Sequence, residues 1–288
     1  MTSTLTLRAP AKINPVLEVL AKRPDGYHEL ALVFQTIGLY DELGFTEAGR
    51  GVSLEIAGSP VPLAADDSNL VVRAAKLFLK EILCREAGVH IGLNKRIPLA
   101  AGLGGGSSDA ATTLLGLDRL FATGAGKETL GALAARLGSD VPFFLTGGTA
   151  LGRGRGEKIT LWKPGPEIQL VLVKPQEGLS TPAVYQSGKA LFTSGEKAAD
   201  YERRWLTGDL RQITGGFFNG LEPAAFSLMP QVEKIKWDLL QAGALGALVS
   251  GSGPTVFAVA ENQKEAKRIA ERFEGTGYSV YVVPTVSA

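Results

Sequence analysis

The sequence predicts a two-domain α+β protein, and three observations carry that reading. The first half mixes short alternating apolar–polar runs with helical spacings. From Trp162 onward the runs follow roughly the order β-α-β-β-α-β, the ferredoxin-like order. Between them lies a Gly- and charge-rich stretch, 152–165, where the boundary is placed, giving expected domains 1–160 and 161–288.

Element by element, Leu5 and Leu7 alternate with Thr4 and Thr6, and Val52, Leu54 and Ile56 alternate with polar or small neighbours. Val89, Ile91 and Leu93 alternate with His90, Gly92 and Asn94, so all three runs read as strands with one buried face. Ser68 is a good N-cap for a helix carrying Leu70, Ala74, Leu77 and Ile82 on one face. A second helix is expected to open at Ser107 and to run through Ala110, Leu114 and Leu117 towards Phe121. A third spans Lys127 to Leu137, with Gly138 in the C-terminal cap position. Further on, residues 168–173 are nearly continuous apolar sequence, as in a strand covered on both faces. A short helix follows Thr181, and residues 231–242 have helical spacing. Strands at 246–250 and 255–260 flank a Ser-Gly-Ser-Gly-Pro turn, then come a helix at 262–273 and a strand at 278–283.

Composition excludes several classes of function. The 30 basic and 29 acidic side chains leave a formal net charge of +1, so no global field recruits nucleic acid or an anionic membrane. Cys84 is the one cysteine, which rules out an internal disulfide, and no Cys/His cluster exists for zinc; a small buried hydrophobe is its expected role. The N-terminal residues lack the basic start and apolar run of a secretory signal. Residues 241–260 are uncharged and long enough to span a bilayer, but their glycines, serines and Pro254 fit a turn between strands better. The expectation is a cytoplasmic protein, monomer or homodimer, with neither nucleic acid nor membrane as partner. Glycine is the anomaly: 36 residues, clustered at 102–106, 147–156, 215–220 and 243–253, where the backbone must bend sharply or approach something closely.

The strongest chemical signal is KRIPLAAGLGGGSSDAATTLLGLDRLF at 95–121, a strand end, a run of small residues and a helix start. Glycines let backbone N–H groups face inward, and the free N–H groups and dipole of a helix's first turn favour a polyphosphate there. Ser107 and Ser108 add hydroxyls able to cap the helix, touch phosphate or meet Mg²⁺. A Walker A loop would need a lysine after the glycines, and none follows; a dinucleotide fingerprint would need glycine where Ser107 stands. The plain alternative is a flexible turn with Ser107 as a mere N-cap. A second patch, Gly152-Arg-Gly-Arg-Gly156-Glu157, reads either as a cleft wall or as a solvated turn between domains.

Segment 98–108 resembles the phosphate-binding loop of the GHMP kinases, as do two further blocks, AKINPVLEVL near the N-terminus and SGSGPTVFAV at 250–259. The lengthened GLGGGSS and the block KRPDGYHEL at 22–30 resemble the branch of that family whose acceptor is a cytidine-diphosphate-linked polyol of the non-mevalonate route to isoprenoid precursors. The resemblance covers essentially the whole chain, in order. It implies a GHMP kinase fold, with an N-terminal ATP-binding domain of the ribosomal-protein-S5 domain 2 type and a C-terminal ferredoxin-like domain. It also implies an ATP- and Mg²⁺-dependent kinase acting on a small-molecule alcohol.

Residue by residue, Lys12 and Asp140 match the catalytic pair of the family. Asp140 would accept or align the hydroxyl proton, and Lys12 would lower the hydroxyl's pKa. Taken alone, Lys12 reads as a solvated strand-end lysine and Asp140 as a helix-cap or turn residue. Pro98, Leu99, Ala100, Ala101, Gly102, Leu103, Gly104, Gly105, Gly106, Ser107 and Ser108 match the ATP loop, with Asn69, Lys95 and Asp109 placed near the adenosine and Ser108 as a metal contact. Tyr27 and His28 match a cytidine-binding pair, an aromatic face for stacking and an imidazole for the pyrimidine edge. Tyr185 resembles a second stacking aromatic, though it also reads as a core-edge residue, with Thr181 beside it and Asn14 placing the polyol. One departure stands out: in FFNGLEPAAF, Gly220 occupies a position where an acidic residue is expected after the asparagine. Two other readings compete, a kinase for homoserine or mevalonate-like acids and a non-enzymatic ATP-binding regulator. The Tyr27-His28 pair argues against the first and retention of Lys12 with Asp140 against the second.

Overall fold

The computed structural model describes residues 4–83 and 86–287, so the expected burial of Cys84 lies outside the described residues. The chain forms two compact units that interleave along the sequence. The first comprises Met1–Ala11, Leu39–Pro98 and Gly104–Thr146; the second comprises Lys12–Gly38, Leu99–Leu103 and Gly147–Ala288. Two long strands, β1 (Leu5–Lys22) and β2 (His28–Ala48), contribute to both.

In the first unit β3 (Gly51–Ala57) and β4 (Gly88–Asn94) pair in parallel, Leu54 opposite Ile91. A parallel pair needs a crossover, which α1 (Leu70–Phe78) and a π-helical turn at Leu79–Leu83 supply. That wider turn takes Ile82 out of the α-helical register in which it was expected. The cap of α1 is Asn69, not Ser68: Asn69 Oδ1 accepts the Val71 N–H at 3.0 Å, while the Ser68 hydroxyl donates to Asp66 at 2.7 Å. β4 also pairs antiparallel with β2, Phe45 opposite Ile91, giving the order β3-β4-β2-β1. Phe45, Ile91, Val71, Ala75 and Phe78 fill the core with α2 (Gly105–Leu120), α3 (Lys127–Leu137) and α4 (Val141–Phe144). Gly116 lets the Phe45 ring lie against α2, since a Cβ there would stand 2.5 Å from it.

In the second unit β5 (Thr149–Gly154) and β6 (Lys158–Leu161) form a hairpin beside β2, Phe34 opposite Ala150. The glycine–arginine patch is therefore the arm and turn of a hairpin, not a link between domains. Glycine is needed in that arm because a Cβ at Gly152 would stand 2.6 Å from the Phe34 ring. A separate four-stranded sheet holds β7 (Gln169–Lys174), β9 (Gly246–Val249), β10 (Val256–Ala260) and β11 (Ser279–Pro284) in the order β11-β7-β10-β9. All its neighbours are antiparallel, the ferredoxin-like arrangement that the element order predicts. α10 (Gln263–Glu271) joins β10 to β11 and buries Ala266 and Ile269.

Between β7 and β9 the chain holds more than the expected helices. α5 (Thr181–Gln186) is followed by α6 (Glu196–Thr207), α7 (Leu210–Thr214), β8 (Phe218–Asn219), α8 (Glu222–Leu228) and α9 (Pro230–Gln241). α6 buries Ala198, Tyr201 and Trp205, a seam at i, i+3 and i+7 that its many charges conceal in the sequence. β8 pairs in parallel with β1, Leu17 opposite Asn219. Among the described residues no helix is long and apolar enough to cross a membrane.

Candidate active site

Alternation along β1 puts Lys12 and Asn14 on one inward face. Lys12 is only 4% exposed, which overturns the solvated-lysine reading. Its ammonium donates to Asn14 Oδ1 at 2.7 Å and to the carbonyl of Gly102 at 3.0 Å. The Asn14 amide donates in turn to the Val33 carbonyl at 3.1 Å. The stretch Leu99–Leu103 belongs to the same unit as Lys12. Gly102 has φ +74°, and a Cβ there would stand 2.1 Å from the carbonyl oxygen of Ser250, so glycine is obligatory on two counts. The Ser250 hydroxyl donates to the same Gly102 carbonyl at 3.0 Å. Thr181 and Ser252 share a hydroxyl–hydroxyl bond of 2.8 Å, which ties the start of α5 to this turn.

The rest of the glycine loop opens α2 in the first unit. The helix starts at Gly105, two residues before the expected Ser107, and its N-cap is Gly104 at φ +72° with no side-chain cap. Its first-turn N–H groups are thus not tied to a capping hydroxyl, which corrects the reading of Ser107 as a cap. Ser108 is fully buried, and its hydroxyl has no hydrogen-bond partner. Behind the loop lies a buried cluster. Lys95 donates to Asp41 and, at 2.8 Å, to Asp109, while Asp41 also accepts the N–H groups of Arg96 and Ile97. Burial pushes the Asp109 carboxyl up to about 7, with Lys95 opposing and Asp41 reinforcing the rise. Burial lowers the Lys95 pKa, but the two carboxylates outweigh it and hold the ammonium above its ordinary value. The side chains of Lys95 and Asp109 are therefore engaged with each other and Asp41, and that of Asn69 with the α1 cap and the Ala64 carbonyl. Asp41 was missed because its partners are 54, 55 and 56 residues away and no local pattern marks it.

Asp140 occupies the N-cap position of α4 but makes no side-chain cap bond, so the helix-cap reading is right about position and wrong about role. Among the described residues no group of three His, Cys, Asp or Glu is arranged to hold a metal ion. Of the two loop serines, Ser108 carries a buried hydroxyl without a hydrogen-bond partner, which fits a cation that takes a single oxygen from the protein.

His28, Tyr185 and Phe192 meet beside the turn between β1 and β2, and the ring of Tyr27 in that turn is met by Arg155. His28 stacks on Tyr185 with centroids 5.0 Å apart and planes at 26°, and Phe192 lies 6.2 Å from the imidazole. Tyr27 is 53% exposed, its N–H donates to Asp25 Oδ1, and the Arg155 guanidinium lies 4.8 Å from its ring centroid. Burial and then the charge of Lys22 lower the His28 pKa, which favours a neutral imidazole with one donor and one acceptor. Arg155 and Phe192 were not singled out in the sequence; the glycine–arginine patch was the only hint of the former. Gly220, the departure noted in the motif, has a packing reason. A Cβ there would stand 2.8 Å from the Leu191 carbonyl, and the Gly220 carbonyl accepts the Leu191 N–H at 2.8 Å.

Comparison with known proteins matches these features. Residues 69–148 match the model of the GHMP kinase N-terminal domain, and 206–279 that of the GHMP kinase C-terminal domain. A 4-diphosphocytidyl-2-C-methyl-D-erythritol kinase from Pelotomaculum thermopropionicum is 46% identical over 98% of both chains. One from Moorella thermoacetica is also 46% identical, over 98% of this chain and 99% of its own. A crystal structure of 4-(cytidine 5'-diphospho)-2C-methyl-D-erythritol kinase superposes with a TM-score of 0.84 at 34% identity, covering 99% of this chain and all of the other. At these levels of identity and coverage, with both domain models matched, the chain belongs to the GHMP kinase family.

Proposed function

We propose that this kinase transfers the γ-phosphoryl of ATP to the 2-hydroxyl of 4-diphosphocytidyl-2-C-methyl-D-erythritol, in the cytoplasm, as a step towards isoprenoid precursors. The observation that carries the reading is the buried Lys12 ammonium, held on the carbonyl of the glycine loop and on Asn14. Phosphoryl transfer asks a protein for positioning and charge stabilisation more than for covalent chemistry. In this reading the N–H groups of 104–107 and the α2 dipole receive the phosphates, the Ser108 N–H being held by the Gly104 carbonyl. Mg²⁺ would neutralise phosphate charge, held by Ser108 together with the nucleotide and water. Lys12 stabilises the developing alkoxide of the acceptor, and Asp140 accepts or aligns its proton. Asn14 steadies both Lys12 and the polyol. Tyr27 and Tyr185 supply stacking faces for cytosine, and the neutral His28 reads its edge, with Thr181 beside them.

The test is ADP release with a panel of acceptors: the cytidine-linked polyol, homoserine, mevalonate and none. Release dependent on the cytidine-linked acceptor supports the assignment. Equal turnover of homoserine or mevalonate, or release without any acceptor, refutes it.

A further inference from the structure

The structure gives the asparagine of FFNGLEPAAF specific work. Asn219 is buried at the end of β8. Its amide donates to the carbonyls of Val249 and Gly251, both at 2.8 Å, and its Oδ1 accepts the Leu221 N–H at 2.9 Å. Both amide protons thus go to the two residues that bracket Ser250. Asn219 is itself fixed to the strand that carries Lys12: it lies opposite Leu17 in β1, and the Gly220 N–H donates to the Leu17 carbonyl at 2.9 Å.

Ser250 closes the ring. Its N–H donates to the Thr255 carbonyl, and its hydroxyl donates to the Gly102 carbonyl that also receives the Lys12 ammonium. A carbonyl oxygen has two lone pairs, and here each has a donor. A lysine ammonium on its flexible stem is only as well placed as the acceptors that hold it. The turn leaves little slack for that acceptor: Gly251 has φ +57°, and a Cβ on it would lie 3.4 Å from Lys12 Nζ, Asn14 Oδ1 and the Gly102 oxygen alike.

We propose that Asn219 and Ser250 are positioning residues for Lys12, acting through the turn at 249–251 and the Gly102 carbonyl. This rests on the reading of Lys12 as part of the phosphoryl-transfer machinery. Neither residue need touch substrate; they set where the ammonium stands when the acceptor hydroxyl loses its proton.

The test is a double-mutant cycle. Ser250→Ala, Asn219→Ala and Lys12→Ala are measured singly, and the first two again on the Lys12→Ala background, with kcat, both KM values and melting temperature recorded. Ser250→Ala removes one hydroxyl and is the variant least able to unfold the protein. It is expected to lower kcat about tenfold with both KM values within about threefold, the signature of an interaction felt in the transition state. Asn219→Ala is expected to lower kcat further. On the Lys12→Ala background neither should slow the residual single-turnover rate, because the group they position is gone. Equal fold losses with and without Lys12, or full kcat in Ser250→Ala, would overturn the proposal and leave the kinase reading intact. Wild-type turnover by Lys12→Ala would overturn both.

Discussion

Replacing Gly102 by alanine tests the contact between loop and turn most directly. The added Cβ would lie 2.1 Å from the Ser250 carbonyl oxygen, where real Cβ contacts do not fall below 3.0 Å. Both partners are backbone, so the loop and the turn must separate by about 0.9 Å, the difference between those distances. Such a shift stretches the 3.0 Å bond from Ser250 to the Gly102 carbonyl beyond hydrogen-bonding range. It also displaces the acceptor of Lys12. The positive φ of +74° adds about 1–2 kcal/mol of backbone strain for any L side chain, and the broken neutral hydrogen bond about 1 kcal/mol more. A destabilisation of roughly 2–3 kcal/mol follows from those two terms. A misplacement near 1 Å in a reacting constellation costs on the order of 10²-fold in rate, so kcat should fall at least that far. ADP release and thermal melting measure both effects. Gly131→Ala is the control, since that helical glycine has nothing within 4 Å of an added Cβ and a negative φ, and it should gain up to about 1 kcal/mol from helix propensity. A Gly102→Ala enzyme that melts and turns over like wild type would refute the steric argument.

Three further outcomes are expected. Asp140→Asn should keep the fold and ATP affinity while kcat falls at least about 10²-fold, and turnover within a few-fold of wild type in ADP-release assays would remove it from the mechanism. CDP should compete with the acceptor far better than UDP, because uracil reverses the donor and acceptor of cytosine at a cost of about 1–3 kcal/mol per unpaired group. Tyr27→Ala should weaken both nucleotides and His28→Ala should erase their difference; equal inhibition of wild type by CDP and UDP would end the cytidine reading. For Asp109 the native pKa of about 7 lies above the ordinary 3.8, so the native state holds the proton more tightly. Its contribution to stability is complete below about pH 4 and is lost as pH rises through 7. Urea melts of Asp109→Asn from pH 5 to 8 should show less loss with rising pH than wild type, and parallel curves would assign the slope to other groups.

The sequence alone determined whatever depends on neighbours in the chain. The α3 span with Gly138 at its end and the positions of the four strands of the second sheet along the chain follow from periods of a few residues. The glycine loop opening a helix, and its incompatibility with other nucleotide loops, follow from consecutive residues at 102–108. α6 shows the limit of such reading: its seam of Ala198, Tyr201 and Trp205 was present but outweighed by charge. Only the tertiary structure decided where the Lys12 ammonium is held, because its acceptor Gly102 lies 90 residues away and that carbonyl's second donor, Ser250, a further 148. The same holds for Asp41 beneath the loop, Arg155 over Tyr27 and Asn219 behind the turn. A side chain's local pattern reports whether it faces inward; the partner that meets it there is set by chain closure over long loops, which leaves no period to read.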